Sequence, residues 1–260
     1  MRCVLVHEMA AGEGAALSEI LRIDGLTRKY DKKTAVSEVS MSVNDGDIVG
    51  IMGPSGSGKS TLFRLINLLE RPTSGRILLD GNEISFARPD AHLIRRKMAL
   101  VLQKPAAMNR SVFNNVAYGL QLRQLEKEET EKRVADYLER LGLTEHRERN
   151  ARSLSGGEMQ RMCFARAVIV EPKLLLLDEF TANLDPQNIS ILERAVRDFV
   201  EQDGRAAVVI THNPFQAKRL CNRTTLMMDG EFVEEGETWK IFNNPTDERT
   251  RAFVSGEMVF

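Results

Sequence analysis

The stretch LSGGEMQRMCFARAVIVEPKLLLLDEF, residues 154–180, combines a glycine-containing turn, a helix with an apolar face and a strand without polar residues. Residues 155–157 predict a flexible turn whose backbone N–H groups can approach an anion closely. The helix is expected to begin near Glu158, where its first N–H groups have no intrahelical partner, and to end before Pro172. Its apolar face is formed by Met159, Met162, Cys163, Ala167 and Val170.

The four leucines at 174–177 predict a strand that is covered on both faces. The run is too short for a membrane span and too uniformly apolar for a half-exposed strand. Asp178 and Glu179 follow it directly, at the carboxyl end of the strand. Because ligands of open α/β sheets bind at that edge, we expect the two carboxylates to belong to a ligand site.

Two further apolar runs, KMALVL at 97–102 and AAVVI at 206–210, are also candidates for buried strands. The first is followed by Gln103 and the second by Thr211 and His212. Three strand candidates thus end in polar side chains, as in parallel α/β folds that build a site from several strand ends. Additional strands are predicted within residues 20–52, at 77–79 and in a hairpin at 225–235.

The segment GPSGSGKST, residues 53–61, fits the pattern G-x-x-x-x-G-K-[ST] of a phosphate-binding loop. It follows the apolar run 48–52 and precedes a segment with helical periodicity, which disfavours a chance glycine turn. Lys59 would supply positive charge to the outer phosphates, and the Ser60 hydroxyl could ligate Mg²⁺. The predicted phosphate-binding residues are Gly53, Pro54, Ser55, Gly56, Ser57, Gly58, Lys59, Ser60 and Thr61. The apolar positions of the following helix are Leu62, Leu65, Ile66 and Leu69.

The polar residues at the strand ends can supply the remaining chemistry of a phosphate site. Asp178 would hold Mg²⁺ through its water shell, and Glu179 would orient or deprotonate an attacking water. Gln103 would sense Mg²⁺ or that water, and His212 would hydrogen-bond the terminal phosphate. Taken singly, each residue is also compatible with a structural role, such as solvation of a strand end. Their combination with a phosphate loop favours the catalytic interpretation.

The composition restricts the classes of function. A chain of 260 residues with 42% hydrophobic residues is sufficient for one large globular domain or for a core with an attached subdomain. The formal net charge of −1 and the pI of about 6.5 provide no basic field, so nucleic acid is not an expected partner. Cys3, Cys163 and Cys221 are too few and too widely spaced for a zinc cluster or a disulfide framework, which favours reduced thiols and a cytosolic location. Neither a membrane span nor a signal peptide is predicted, so any membrane role is expected to be peripheral.

Changes in composition along the chain predict the domain boundaries. Residues 1–19 have no sustained period and predict a loose tail, and residues 20–245 form the main domain. An α-helical subdomain is expected at about 105–168, where charged residues of both signs favour a solvated face over a binding patch. Its helical stripe is formed by Val134, Tyr137, Leu138 and Leu141. Residues 246–260 are expected to be a short C-terminal extension.

The order and spacing of these motifs resemble the ATP-binding cassette (ABC) family over roughly residues 20–240. The motifs are GPSGSGKST, the glutamine in VLQKP, LSGGEMQR, LLLLDE, the loop ANLD at 182–185 and THN around His212. The resemblance implies an α/β P-loop NTPase core with a mainly parallel sheet, an N-terminal antiparallel β subdomain and an inserted α-helical subdomain. It also implies ATP and Mg²⁺ as cofactors.

In this family two cassettes pair head to tail, so that each ATP lies between the phosphate loop of one subunit and the LSGG turn of the other. By resemblance, the residues that contact the partner's ATP are Ser155, Gly156 and Gly157, and Asp185 of the ANLD loop is a further nucleotide-binding residue. Tyr30, 23 residues ahead of Gly53 in an otherwise polar loop, is similar to the aromatic residue that stacks on adenine. A solvent-facing tyrosine is the alternative.

Two positions depart from the commonest family pattern. Phe180 stands where proline is usual after the catalytic glutamate, and Asn183 stands where serine is common. Neither change removes a group that hydrolysis needs. The segments DEFTANLD, THNPFQAKRL and RAFVSGEMVF are most similar to those of the ATPase subunits of bacterial and archaeal tungstate importers, with phosphate importers close by.

The resemblance implies a peripheral ATPase subunit at the cytoplasmic face of the cell membrane. It would form a homodimer, power a separate integral membrane permease and act indirectly with a solute-binding protein. Residues 104–112 resemble the surface that receives a coupling helix of the permease, and an ordinary loop is the alternative. The solute is expected to be an oxyanion such as tungstate, with phosphate or a polar amino acid as the alternative.

Two other classes of ABC protein are less compatible with the sequence. Soluble cassette proteins of DNA repair or translation usually carry a long coiled-coil insertion, a second cassette or strongly basic arms, and this chain has none of these. A regulatory module that binds the nucleotide without hydrolysing it would have no need of Glu179 and His212. Both residues are present in this chain, which argues against that class.

Overall fold

The strands of the protein form two sheets, which the computed structural model describes through residues 18–31, 33–84 and 91–257. In chain order the strands are β1 (Glu19–Tyr30), β2 (Lys33–Asn44), β3 (Ile48–Met52), β4 (Ser74–Leu79), β5 (Asn82–Glu83), β6 (Met98–Val101), β7 (Leu174–Asp178), β8 (Ala206–Ile210), β9 (Arg223–Met228) and β10 (Glu231–Glu237). The helices are α1 (Lys59–Ile66), α2 (Ala91–Arg95), α3 (Val112–Leu122), α4 (Lys127–Arg140), α5 (Gly156–Val168), α6 (Pro186–Val200), α7 (Pro214–Leu220), α8 (Thr238–Asn243) and α9 (Glu248–Ser255).

The larger sheet has the strand order β10-β9-β3-β8-β7-β6, and only β10 runs antiparallel to its neighbour. The smaller sheet, β2-β1-β4-β5, is antiparallel. Helices α3 to α5 lie between β6 and β7 in the chain. The predicted α/β class, with a mainly parallel sheet and an N-terminal antiparallel part, is confirmed.

Alternate residues of β7 face two different cores, which explains its unbroken run of leucines. Leu174 and Leu176 pack with the antiparallel sheet and α1. Leu175 and Leu177 pack with helices α3 to α6 on the other side of the parallel sheet. All four are fully buried, and each contributes about 1.5–3 kcal/mol of hydrophobic burial. A carboxylate can therefore be accommodated only where this burial ends, at Asp178 and Glu179.

Three predictions about local packing are wrong in detail. Strand β6 was expected to be buried, but it is the edge strand of its sheet, and Ala99 and Leu100 are only partly covered. Helix α5 ends at Val168, so Val170 lies beyond it, and the polar Gln160 is buried together with the apolar residues of the helix. Leu69 lies beyond the end of α1 and is 55% exposed.

The predicted segments at the two ends of the chain fall partly outside the described residues. Of the expected tail, residues 1–17, including Cys3, are not described, and β1 already begins at Glu19. The expected C-terminal extension contains α9, whose Phe253 is buried in the core, while residues 258–260 are not described. Within the described ranges, no helix has an apolar stretch long enough to cross a bilayer.

Candidate active site

The predicted phosphate loop connects β3 to α1, and glycine is required at its two ends. Gly58 has a φ of 105° and is the N-cap residue of α1. A side chain there would overlap the backbone oxygen of Ala35, and a side chain at Gly53 would overlap that of Met227. The loop therefore packs its backbone directly against neighbouring strands, and its position depends on the absence of these two Cβ atoms.

Lys59 occupies the centre of this loop. Its Nζ donates hydrogen bonds to the backbone oxygens of Gly53 at 2.8 Å and Pro54 at 2.6 Å, and to Oγ of Ser57 at 3.2 Å. Burial lowers the pKa of Lys59, while the charges of Glu179 and Asp178 oppose that effect. A buried ammonium group that faces two carboxylates is suited to an anionic ligand that arrives with a metal ion.

A cleft of about 370 Å³ lies above the loop and brings together residues from distant parts of the chain. Tyr30 and Glu179, which are far apart in the sequence, both line it. Tyr30 is the last residue of β1, so the prediction that it lies in a loop is wrong. The loop residues that line the cleft are Ser55, Gly56, Gly58, Lys59, Ser60 and Thr61. Lys33 and Ala35 of β2 also line it, and neither was predicted.

Glu179 is the point at which the three predicted strand ends meet. Nε2 of Gln103 donates to one carboxylate oxygen of Glu179 at 2.8 Å, and Nδ1 of His212 lies 3.2 Å from the other. Glu179 has a φ of 45°, and its N–H donates to the backbone oxygen of Ile210. A left-handed non-glycine residue costs about 1–3 kcal/mol, so this turn is retained because tertiary contacts hold it.

His212 lies directly before the capped N-terminus of α7, which fixes the backbone at this position. Asn213 caps α7, since its side-chain oxygen accepts from the N–H groups of Phe215 at 3.0 Å and Gln216 at 3.3 Å. Pro214 occupies the first turn of this helix, where its missing N–H is not needed. The imidazole remains 63% exposed at the mouth of the site.

Asp178 has the properties of a metal-binding carboxylate. Burial raises its pKa, and the neighbouring charge of Glu179 raises it further, against the opposing charges of Lys59 and Arg64. A divalent cation would compensate this pair of acids, and the Ser60 hydroxyl at the start of α1 is a second oxygen donor of the kind that Mg²⁺ prefers. The residues present therefore fit Mg²⁺, which supplies positive charge to phosphate oxygens when bound.

Ser155, Gly156 and Gly157 do not form the flexible turn that was predicted. Ser155 is the N-cap residue of α5, which begins at Gly156, two residues earlier than expected. Ser155 and Glu158 form a capping box, in which Oε2 of Glu158 accepts from the Ser155 N–H at 2.9 Å. His146 lies 3.1 Å from the other oxygen of Glu158. The start of this helix is therefore rigid before any ligand arrives.

The helix start packs against the ANLD loop through Asn188, a residue that was not predicted. A side chain at Gly157 would overlap the side-chain amide of Asn188. Asn188 in turn donates its backbone N–H and its side-chain Nδ2 to the carboxylate of Asp185, the N-cap residue of α6. The predicted site residues thus fall into two groups: those around the cleft, and residues 155–157 with Asp185, none of which lines the cleft.

Gly157→Ala is expected to destabilise the protein by about 0.5–1.5 kcal/mol, the usual net value of a lost hydrogen bond. The new methyl group must displace the Asn188 amide from Asp185. Gly156→Ala is the matched control, because that position faces open space and tolerates a side chain. Urea unfolding of both variants measures the difference. Equal stabilities, or no recovery when Asn188→Ala is added to Gly157→Ala, would contradict this account.

The two unusual positions in the loop after β7 have physical explanations. Phe180 is only 1% exposed and packs in the core with α5 and α6. Asn183 has a φ of 61°, a left-handed conformation that asparagine adopts more readily than most residues. Neither side chain enters the cleft.

Comparisons with known proteins agree with this geometry. A family model described as ABC transporter matches residues 36–182. The chain is 37% identical to the phosphate import ATP-binding protein PstB 2 of Natronomonas pharaonis over 92% of this chain and 88% of that one. It is 36% identical to the methionine import ATP-binding protein MetN of Halalkalibacterium halodurans over 90% of this chain and 71% of that one.

A solved structure shares the fold as well as the sequence pattern. It is a dimeric ATP-binding cassette in a post-hydrolysis state bound to ADP and Pi, with a TM-score of 0.78 and 29% identity over 84% of this chain and 99% of that one. The family model covers more than half of the chain, and the curated relatives span nearly all of it. The chain therefore belongs to the ABC transporter family, with ATP and Mg²⁺ as its cofactors.

Proposed function

We propose that the chain is the ATP-hydrolysing subunit of a membrane importer. The proposal rests on the position of Glu179. Gln103 contacts one of its carboxylate oxygens and His212 the other, and Glu179 lines the same cleft as Lys59. In this arrangement Glu179 orients and deprotonates the attacking water, while Lys59 and the loop N–H groups bind the phosphates. Ser60, Gln103 and Asp178 would hold Mg²⁺, which would supply positive charge to the phosphates, and His212 would contact the terminal phosphate.

The second group of residues favours a head-to-tail homodimer. Ser155, Gly156 and Asp185 are exposed at the starts of two adjacent helices and do not line their own subunit's cleft. Helix N-termini attract phosphate, so this surface is suited to the ATP of a partner subunit. A related cassette has been solved as a dimer, which supports the same assembly here. Twofold symmetry would then create two equivalent sites.

A groove of about 270 Å³ beside residues 104–112 is suited to a coupling helix of a separate permease. Leu102 and Tyr118 are exposed there at 52% and 36%, and Pro105, Ala106 and Cys163 also line the groove. Exposed apolar side chains in a groove favour an amphipathic helix as the partner. The subunit would therefore lie peripherally at the cytoplasmic face of the membrane and act indirectly with a solute-binding protein.

For the transported solute we propose an oxyanion, with tungstate as the first choice. Similarity to a phosphate importer subunit supports the oxyanion class, and the segments around Phe180 and Phe215 favour tungstate within it. Phosphate itself is the closest alternative. An amino acid is the other alternative, since the chain is also similar to methionine importer subunits.

The test combines transport with receptor binding. The chain is reconstituted in proteoliposomes with the permease and solute receptor encoded beside it, and ATP-dependent uptake is measured for tungstate, molybdate, phosphate and sulfate. We expect tungstate uptake that requires ATP and that Glu179→Gln abolishes. A receptor that binds an amino acid or a sugar would reject the oxyanion assignment, and a lack of ATP-dependent uptake of any solute would argue for a protein that is not a transporter subunit.

A further inference from the structure

Tyr30 is held in place by two charged side chains that lie outside the cleft. The guanidinium carbon of Arg28 lies 4.5 Å from the centre of the Tyr30 ring, over one face. The Tyr30 hydroxyl donates to the carboxylate of Glu70. Arg28 and Glu70 also pair with each other, with 3.4 Å between Nε and Oε2. The ring is therefore restrained both at its face and at its tip.

We propose that Arg28 and Glu70 are positioning residues that hold Tyr30 as a one-sided stacking platform for the purine base of the nucleotide. This inference rests on the proposed function, in which the cleft binds ATP, and on the similarity of Tyr30 to the aromatic residue that stacks on adenine in this family. Arg28 and Glu70 do not line the cleft and so act through Tyr30.

The direction of stacking follows from what covers each face of the ring. Tyr30 lines the cleft together with the phosphate loop, whereas Arg28 does not. The face under the guanidinium is already occupied, so the base stacks on the opposite face of the ring, within the cleft that Tyr30 lines. A planar base and a phenol ring stack favourably because both have extended π surfaces.

The position of Arg28 is itself well determined. Its Nη1 donates to the backbone oxygen of Arg71 at 3.0 Å, which connects the end of β1 to the segment before β4. Glu70 receives a second ion pair from Arg64 at 3.4 Å. The guanidinium therefore cannot leave the ring without breaking its contacts to Glu70 and Arg71, in the segment between α1 and β4. Such pre-organisation lowers the ordering cost of binding.

A purely architectural role for Arg28 is the competing explanation, since the same contacts join β1 to the turn after α1. The two explanations differ in which ligand they affect. A platform acts only on a ligand that carries a base, whereas a general loosening of the subdomain would disturb the neighbouring phosphate loop as well. Inorganic triphosphate has no base and thus separates the two explanations.

The experiment uses the full chain without Mg²⁺, so that ATP is bound but not hydrolysed. Isothermal titration measures the Kd of ATP, and displacement of a fluorescent ATP analogue measures the Kd of inorganic triphosphate. The variants are Tyr30→Ala, Arg28→Met, Tyr30→Phe and the double variant Tyr30→Ala/Arg28→Met. Arg22→Met is the matched control, because Arg22 is an exposed arginine of the same strand that pairs with Asp24.

Loss of the ring in Tyr30→Ala is expected to weaken ATP binding about tenfold, in the range of base–aromatic stacking. Arg28→Met should weaken it about threefold to fivefold, as expected for a cation–π contact. Neither change should alter the Kd of inorganic triphosphate by more than about twofold, and Arg28→Met should have no effect once Tyr30 is alanine. Tyr30→Phe, which keeps the ring but loses the Glu70 contact, should show a smaller loss that is again specific for ATP.

Other outcomes would contradict the roles assigned to Arg28, Glu70 or Tyr30. If Arg28→Met weakens ATP and triphosphate equally, or changes neither, Arg28 does not act through the base. Additive effects in the double variant lead to the same conclusion. If Arg28→Met does not fold, as judged by thermal unfolding, an unchanged ATP affinity of Tyr30→Phe overturns the role of Glu70. If Tyr30→Ala itself leaves ATP binding unchanged, Tyr30 does not stack on the base and the platform is rejected, while the proposed ATPase function is unaffected.

Discussion

Glu179→Gln is expected to lower the rate of ATP hydrolysis by about 10²–10⁴-fold, the usual contribution of a general base, while ATP binding is retained. The amide has nearly the shape of the carboxylate but cannot accept a proton from water. In the proposed function Lys59 and the loop backbone bind the phosphates, so we expect the affinity for ATP not to depend on this carboxylate. The ATP-bound dimer should consequently accumulate.

The measurement compares phosphate release with ATP affinity and with the fraction of dimer in the presence of ATP. Glu171→Gln is the matched control. Glu171 also has a left-handed backbone, with a φ of 52° against 45° for Glu179, but it precedes β7, whereas Glu179 follows it. It pairs with Arg133 on the surface and is 53% exposed. Its replacement should leave turnover within about twofold, as is usual for surface changes.

Normal hydrolysis by Glu179→Gln would show that another group activates the water. A simultaneous loss of ATP binding would have a different meaning, since the substitution would then have disturbed the cleft. The second outcome is a real risk at this position, because Gln103 and His212 both contact the carboxylate and only one oxygen remains in the amide. Measuring affinity in the same preparation separates the two cases.

The parts of the fold that follow from local pattern could be predicted from the sequence. Strand β7 has four consecutive leucines because both of its faces are buried, and the acids come where the burial ends. The phosphate loop could be recognised because the steric demands on Gly53 and Gly58 are reflected in residue type. The juxtaposition of Gln103, Glu179 and His212 could be inferred from one rule, that parallel strands end at the same edge.

Features that depend on tertiary packing could not be predicted. The contact between Gly157 and Asn188 joins residues 31 positions apart, and neither residue type indicates it. The sequence of β6 does not indicate that it is an edge strand, because a short apolar run can occur in an edge strand as well as in a central strand. The capping box of Ser155 and Glu158 is an exception to this rule. The pattern S-x-x-E in the sequence is sufficient to predict a capped helix start at this position.

Lys59→Met is expected to weaken ATP binding about a hundredfold, equivalent to roughly 3 kcal/mol for a charged group that contacts phosphate oxygens. Methionine fills the space of the lysine stem but leaves the carbonyls of Gly53 and Pro54 without their donor. Titration with ATP measures the loss of affinity, and thermal unfolding without ligand checks that the loop is still formed. Unchanged affinity would mean that the backbone N–H groups alone hold the phosphates.

The matched control is Lys33→Met, which removes the same charge from the same cleft at an exposed position. Salt distinguishes the two lysines, because exposed charges are screened within about 8–10 Å at moderate ionic strength whereas buried charges are screened much less. Any effect of Lys33→Met on ATP affinity should therefore disappear as the salt concentration rises. The effect of Lys59→Met should persist, because Lys59 is only 6% exposed and acts by direct contact. Equal, salt-sensitive losses in both variants would mean that the cleft binds ATP through its overall charge and not through the buried ammonium.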